Sequence, residues 1–128
     1  MLFRSNYKGE TKVLAVTEIL SQNDFFDYEA KYLGKSEEIT PARISKELEN
    51  LVVETAKKVY QSLGMIGFSR ADFIIMNGIP YFIEINTNPG LSPQSIFPQQ
   101  AEHANIPFSD LLDNEIKLAL QRKPIWKK

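Results

Sequence analysis

Four polar residues, Arg70, Asp72, Glu84 and Asn86, are spaced to act together. They sit in two apolar runs, Gly67 to Met76 and Ile79 or Pro80 to Asn86, joined at Asn77-Gly78. An Asn-Gly pair between apolar runs signals a hairpin. A strict two-residue loop sets Met76 opposite Ile79 and Asp72 opposite Ile83, with Glu84 on the other face. An odd loop, with Gly78 in a left-handed bulge position, sets Met76 opposite Pro80, Ile74 opposite Phe82, Asp72 opposite Glu84 and Arg70 opposite Asn86. The odd loop gathers Ala71, Phe73, Ile75, Tyr81, Ile83 and Ile85 on one apolar face. Such sorting normally fixes register, so the odd loop is expected, and Pro80 suits a position beside the turn because it has no N–H for a ladder.

In that register two carboxylates face each other with Cβ atoms about 5 Å apart, an arrangement that is repulsive unless something offsets it. A solvated sheet face with Arg70 as internal counter-ion is one answer. A hard divalent cation is the other: carboxylate and amide oxygens suit Mg²⁺ or Mn²⁺, and Mg²⁺ is usually held by one or two carboxylates plus substrate phosphates. Two ions around a triphosphate, with Arg70 neutralising a transferring phosphoryl group, would use all four residues. On the pattern the two answers stand level. Ile74 and Phe82, nearer the turn, read as ordinary core in preference to a seat for a purine ring.

The elements that must hold this hairpin come from the rest of the 128 residues, one domain's worth of chain. Lys12 to Ile19 reads as a strand. Residues 21–45 carry no periodic element, and a stretch that long is often functional. Ser45 as N-cap, Leu48, Leu51, Val52, Ala56, Val59 and Leu63 at helical spacing, and Gly64 after them predict a helix, with Lys57 and Lys58 suiting its dipole. The loop NTNPGLSPQS follows the hairpin, then two short helices near 94–104 and 109–121. Ser109 is the expected N-cap of the second, with Leu111, Leu112, Ile116, Ala119 and Leu120 inward. The tail RKPIWKK is expected to fray.

Composition narrows the chemistry. With 15 Lys+Arg against 16 Asp+Glu there is no basic excess for nucleic acid. Zero cysteines exclude disulfides, thiolate metal sites and a thiol nucleophile, and the single histidine, His103, excludes any two-histidine site. His103 reads as surface decoration. The apolar runs are too short to span a membrane and MLFRSNYKGE has no signal-peptide core, so the cytoplasm is the expected compartment.

The runs GFSRADF and YFIEINTNPGLSPQSIFP resemble the C-terminal part of the D-alanine–D-alanine ligases, which are ATP-grasp enzymes. FFDYEAKYLGKSEEITPA resembles that family's omega loop, at about 21–41 here, and the resemblance covers essentially the whole chain. It implies an ATP-grasp C-terminal subdomain over 1–128: α/β (α+β), an antiparallel sheet with a long helix and two C-terminal helices packed on it, a metal-binding hairpin at 67–86 and a substrate loop at 87–96. It implies that Asp72, Glu84 and Asn86 bind two Mg²⁺ (or Mn²⁺) ions, with Glu84 shared. Arg70 would contact the phosphoryl group, and the Gly90 N–H the developing oxyanion. Lys31 would reach the phosphate and substrate from the loop. Ser95 and the Ile96 backbone would hold the carboxylate of a second D-alanine, Tyr32 would help close the loop, and Lys31, Ile74, Glu84 and Asn86 would serve the nucleotide.

The implied reaction joins two D-alanines through an acyl phosphate at the expense of ATP, for peptidoglycan. The family's N-terminal and central domains are missing, so the chain looks like a fragment, expected to be inactive alone. Three alternatives stand beside this: a D-alanine–D-lactate or D-serine ligase, against which Tyr32 speaks; another ATP-grasp carboxylate–amine ligase; and a non-catalytic partner-binding module. No nucleic-acid or membrane partner is expected, and a homodimer is left open.

Overall fold

The computed structural model describes residues 2–7, 9–21 and 36–123. Along the chain run β1 (Leu2–Tyr7), β2 (Glu10–Val16), β3 (Glu18–Ser21), β4 (Ser36–Ile39), α1 (Lys46–Ser62), β5 (Ser69–Met76), β6 (Ile79–Asn86), α2 (Ile96–His103) and α3 (Phe108–Gln121). Four strands form one antiparallel sheet in the order β2-β1-β5-β6, and β3 pairs with β4 in a separate two-stranded sheet. This is the expected mixed α/β architecture, with a long helix and two C-terminal helices on an antiparallel sheet.

The sheet is covered on both faces because β2 changes its facing midway. Leu2 pairs with Val16 but Arg4 with Val13, so the register of β2 slips by one residue against β1. That bulge lets Leu14 and Val16, which a regular strand would place on one face, serve different cores. Val16 joins Val52, Ala56 and Ala71 under α1. Leu14 joins Ile96, Phe97, Ala101, Ile106 and Leu111 under α2 and α3. Phe97 is fully buried, 4.6 Å between ring centroids from Phe68 and 6.0 Å from Phe108.

Helix α1 follows its sequence signals at both ends. The Ser45 hydroxyl accepts the Leu48 N–H at 3.2 Å, satisfying a first-turn donor. At the other end Gly64 takes φ +62°, the Gly64 N–H reaches the Gln61 carbonyl and the Met65 N–H the Tyr60 carbonyl, a Schellman closure that needs the left-handed residue. Its inner face is Val52, Ala56 and Tyr60, whereas Leu51 and Leu63 are exposed. Lys57 pairs with Glu54, not with the helix terminus, and the last turn holds no basic residue.

Other expectations need correcting. Lys12 to Ile19 is two strands, parted at Thr17, whose hydroxyl is turned inward at 2% exposure. Strand β1 and the polar strand β4, inside the stretch read as irregular, were not expected; β4 is a strand because β3 supplies its ladder partners. Helix α3 begins a residue earlier, with Pro107 as N-cap in place of Ser109. Leu111 alone of its expected inner face is fully buried, while Ile116 and Leu120 are exposed. No helix among the described residues is long and apolar enough to cross a membrane.

Candidate active site

The hairpin brings the four polar residues together by a route neither expected register described. The turn is a two-residue loop, with Asn77 at φ +52° and Gly78 at φ +74°, the backbone signs of a type I′ turn. Met76 therefore pairs with Ile79, Ile75 with Pro80, Ile74 with Tyr81 and Phe73 with Phe82. The register then shifts: Asp72 pairs with Glu84, Ala71 with Ile85 and Arg70 with Asn86, leaving Ile83 as the extra residue of a β6 bulge. The odd residue sits in the strand, not in the turn. The expected pairs Met76–Pro80 and Ile74–Phe82 are thus wrong. Phe82 stacks edge-on against Phe73 at 5.8 Å between centroids, on the face that carries α1, yet both it and Ile74 are exposed, so the reading of that pair as ordinary core does not hold. The apolar surface beside the polar square is Ile74 with Tyr81, both exposed.

Arg70 and Asp72 alternate with Ala71 and Phe73, so they project away from α1. The Arg70 guanidinium grips Asp72 in a fork, Nε to Oδ1 at 3.1 Å and Nη2 to Oδ2 at 3.2 Å. Its Nη2 also lies 3.9 Å from Glu84 Oε1. The Arg70 and Asp72 side chains are 15% and 18% exposed, and that of Glu84 is 51% exposed. Burial pushes the Asp72 carboxyl up, and the Glu84 charge adds to this, while Arg70 pulls it down without cancelling the effect. A carboxylate held in that balance gains from additional positive charge.

The donor set fits a hard cation. Asp72, Glu84 and the Asn86 amide can present oxygens, the two-carboxylate arrangement that leaves Mg²⁺ room for phosphate and water. Asn86 Oδ1 already accepts the Asn88 N–H at 2.9 Å, which fixes the amide and starts the loop that follows. No cluster of three or more His, Cys, Asp or Glu able to hold a metal ion occurs among the described residues.

That loop folds back toward its own end. The Ser95 N–H donates to the Ser92 carbonyl at 2.8 Å, and the two serine hydroxyls lie 2.7 Å apart. Gly90 faces Ser95 so closely that a Cβ built on it would stand 2.7 Å from Ser95 Oγ. Ser95 and Ile96 open α2, and a helix start presents N–H groups to an anion. Gly90, Ser95 and Ile96 are therefore placed together. Lys31 and Tyr32 lie outside the described residues.

Two residues of this neighbourhood were missed in the sequence. Glu38, on β4, is pushed up by burial, against the pull of a Gln99 hydrogen bond and of the Arg70 charge. Gln99 Nε2 donates to the Gln94 carbonyl at 3.0 Å and stands 3.5 Å from Glu38 Oε2. Neither has a local signature, since a polar strand and a glutamine in a helix announce nothing. His103, at the far end of α2, is exposed.

Comparison with known proteins gives the family. The family model described as D-ala D-ala ligase C-terminus matches residues 5–117. The D-alanine–D-alanine ligase of Flavobacterium psychrophilum is 81% identical over 123 residues, which are 96% of this chain and 38% of that protein. That of Flavobacterium johnsoniae is 62% identical over 115 residues, 90% of this chain and 36% of that protein. Among solved structures, the D-alanine–D-alanine ligase from Bacillus anthracis complexed with ATP superposes with a TM-score of 0.72 at 29% identity, covering 94% of this chain and 38% of that one. The VanG D-Ala:D-Ser ligase from Enterococcus faecalis superposes with a TM-score of 0.76 at 37% identity, covering 91% of this chain and 34% of that one. The chain thus spans little more than a third of the length of these relatives. With the family model running through β5, β6 and the loop beyond them, the chain belongs to the D-ala D-ala ligase C-terminus family.

Proposed function

We propose that this chain is the part of an ATP-dependent D-alanine–D-alanine ligase that grips the transferring phosphate and the second D-alanine. The supporting observation is the Asp72–Glu84 pair, set opposite on one sheet face with Arg70 between them. Asp72, Glu84 and Asn86 would hold two Mg²⁺ ions, which supply charge neutralisation for the ATP phosphates.

A carboxylate is a poor electrophile, and bringing it to ATP and a second carboxylate assembles three anions. Arg70 answers part of that repulsion by turning its fork from Asp72 to the transferring phosphoryl oxygens. The carboxylate of the first D-alanine takes the γ-phosphoryl group of ATP, releasing ADP and forming an acyl phosphate; the amine of the second, its proton lost to solvent, attacks the acyl carbon, the C–O bond to phosphate breaks, and the dipeptide forms as phosphate leaves. The Gly90 N–H would donate to the oxyanion of that attack, where a fixed donor is worth most. Ser95 and the Ile96 N–H would hold the carboxylate of the attacking D-alanine. Lys31 and Tyr32 would act from the omega loop, and Ile74 would border the nucleotide. The dipeptide would serve peptidoglycan synthesis in the cytoplasm, where ATP is available.

The test is phosphate release by the full-length protein with ATP, Mg²⁺ and D-alanine. Arg70→Met should lower kcat by about two to three orders of magnitude, the usual cost of one transition-state donor. D-Alanine-independent or Mg²⁺-independent turnover, or an unchanged Arg70→Met enzyme, would refute the reading. Competition among D-alanine, D-serine and D-lactate as acceptor separates it from the D-Ala:D-Ser chemistry of the VanG neighbour. The 128-residue chain alone is expected to show no turnover, since it lacks most of the relatives' length.

A further inference from the structure

We infer that Gln99, backed by Glu38, is a positioning residue that sets Ser95 and Ile96 for the acceptor carboxylate; this rests on the function proposed above. The junction between the loop and α2 is weakly held by its usual means. Ser95 is the N-cap, yet its side chain makes no capping hydrogen bond. It is engaged with Ser92 instead. The first helical backbone bond, Gln99 N–H to the Ser95 carbonyl, is stretched to 3.5 Å.

The Gln99 side chain supplies what the backbone does not. A carboxamide NH₂ has two protons to give. One goes back over the first turn to the carbonyl of Gln94, the residue before Ser95, at 3.0 Å. The other is aimed at Glu38 Oε2, 3.5 Å away on β4. One nitrogen thus ties together the loop, the helix and the second sheet. Glu38 in turn lies within the field of Arg70. The Glu38 carboxylate thus stands beside the start of α2, where Gln99 reaches it. Because Gln99 fastens the first turn, the Ser95 hydroxyl, bonded to Ser92 Oγ, and the Ile96 N–H at the helix start would be held in place for a ligand. Pro98, in that same turn, contributes no N–H to it.

The test uses the full-length protein with two readouts. Gln99→Leu should raise KM for the second D-alanine about fivefold to tenfold, the scale of one lost neutral hydrogen bond. Its kcat and its KM for ATP should stay within about twofold, since Gln99 touches neither reacting atom nor phosphate. Glu38→Ala should raise the same KM by a smaller factor, and Glu38→Gln, which keeps an acceptor oxygen, should restore it. Independently, hydrogen exchange of the Ser95 amide, now bonded to Ser92, should quicken in Gln99→Leu while α1 amides keep their protection. Equal changes in every kinetic constant, or an unchanged acceptor KM and Ser95 exchange rate, would overturn the inference. A wild-type protein without D-alanine-dependent turnover would refute the proposed function, while Ser95 exchange still decides the positioning role.

Discussion

Replacing Gly90 by alanine probes the loop geometry most directly. The new methyl group would stand 2.7 Å from Ser95 Oγ and 3.3 Å from Ser95 Cβ. The first distance is not tolerated, so the hydroxyl must rotate away and give up its 2.7 Å partner, Ser92 Oγ. That neutral bond is worth about 1 kcal/mol net, and a hydroxyl bond to a bound carboxylate about 1.5–3 kcal/mol. On the proposed function, their combined loss predicts kcat/KM for the acceptor falling by about sixtyfold to several hundredfold, at one decade per 1.4 kcal/mol. Initial rates of phosphate release against D-alanine concentration, at saturating ATP and Mg²⁺, measure it. Ser95→Ala should cost nearly as much. The double variant should cost little more than either single one, because removing Oγ removes the 2.7 Å clash and leaves only the 3.3 Å contact. Equal losses from Gly90→Ala in the wild-type and Ser95→Ala backgrounds would refute the reasoning, since the damage would not then pass through the hydroxyl.

Two further outcomes are expected. Glu18 is forked by Arg43, Nε to Oε2 at 3.0 Å and Nη2 to Oε1 at 3.2 Å, and this holds its carboxyl below the ordinary glutamate range. A lowered folded pKa stabilises above the unfolded value and is lost as pH falls through the folded one. Glu18→Gln should therefore lower Tm slightly at neutral pH and converge with wild type in acid, as thermal unfolding from neutral pH down through the carboxylate range would show; a constant difference would exclude the linkage. Gln100 is fully buried and donates to Thr17 Oγ1 at 2.7 Å, which lies 2.6 Å from Thr40 Oγ1. Gln100→Leu should destabilise by about 0.5–1.5 kcal/mol, the net worth of one lost buried hydrogen bond, and a denaturant midpoint equal to wild type would contradict that.

The hairpin shows how far local sequence reaches. Asn77-Gly78 announced where the chain turns, though not the two-residue type it adopts, whose two positive φ values those residues tolerate. Apolar sorting pointed to Asp72 opposite Glu84 and Arg70 opposite Asn86, and these pairs exist. The offset that reconciles turn with pairing was expected in the loop, whereas it lies at Ile83, where a bulge sends Phe82 toward Phe73 and Glu84 toward Asp72. Alternation alone cannot locate such an extra residue, since either position gives the same parity at the open end.

Helix α1 was legible at both caps for the same reason as the turn: Ser45 and Gly64 act on atoms a few residues away. The residues proposed to bind cation and phosphate were equally plain in order. Strand β4, the facing change in β2 and the Glu38–Gln99–Gln94 link were not. Each depends on partners far along the chain, 61 residues apart for Glu38 and Gln99. Local rules speak only for neighbours, because turn and cap energies are settled within one or two turns of backbone. The meeting of distant polar groups is settled by which apolar faces bury each other, and that becomes visible only once the chain has packed.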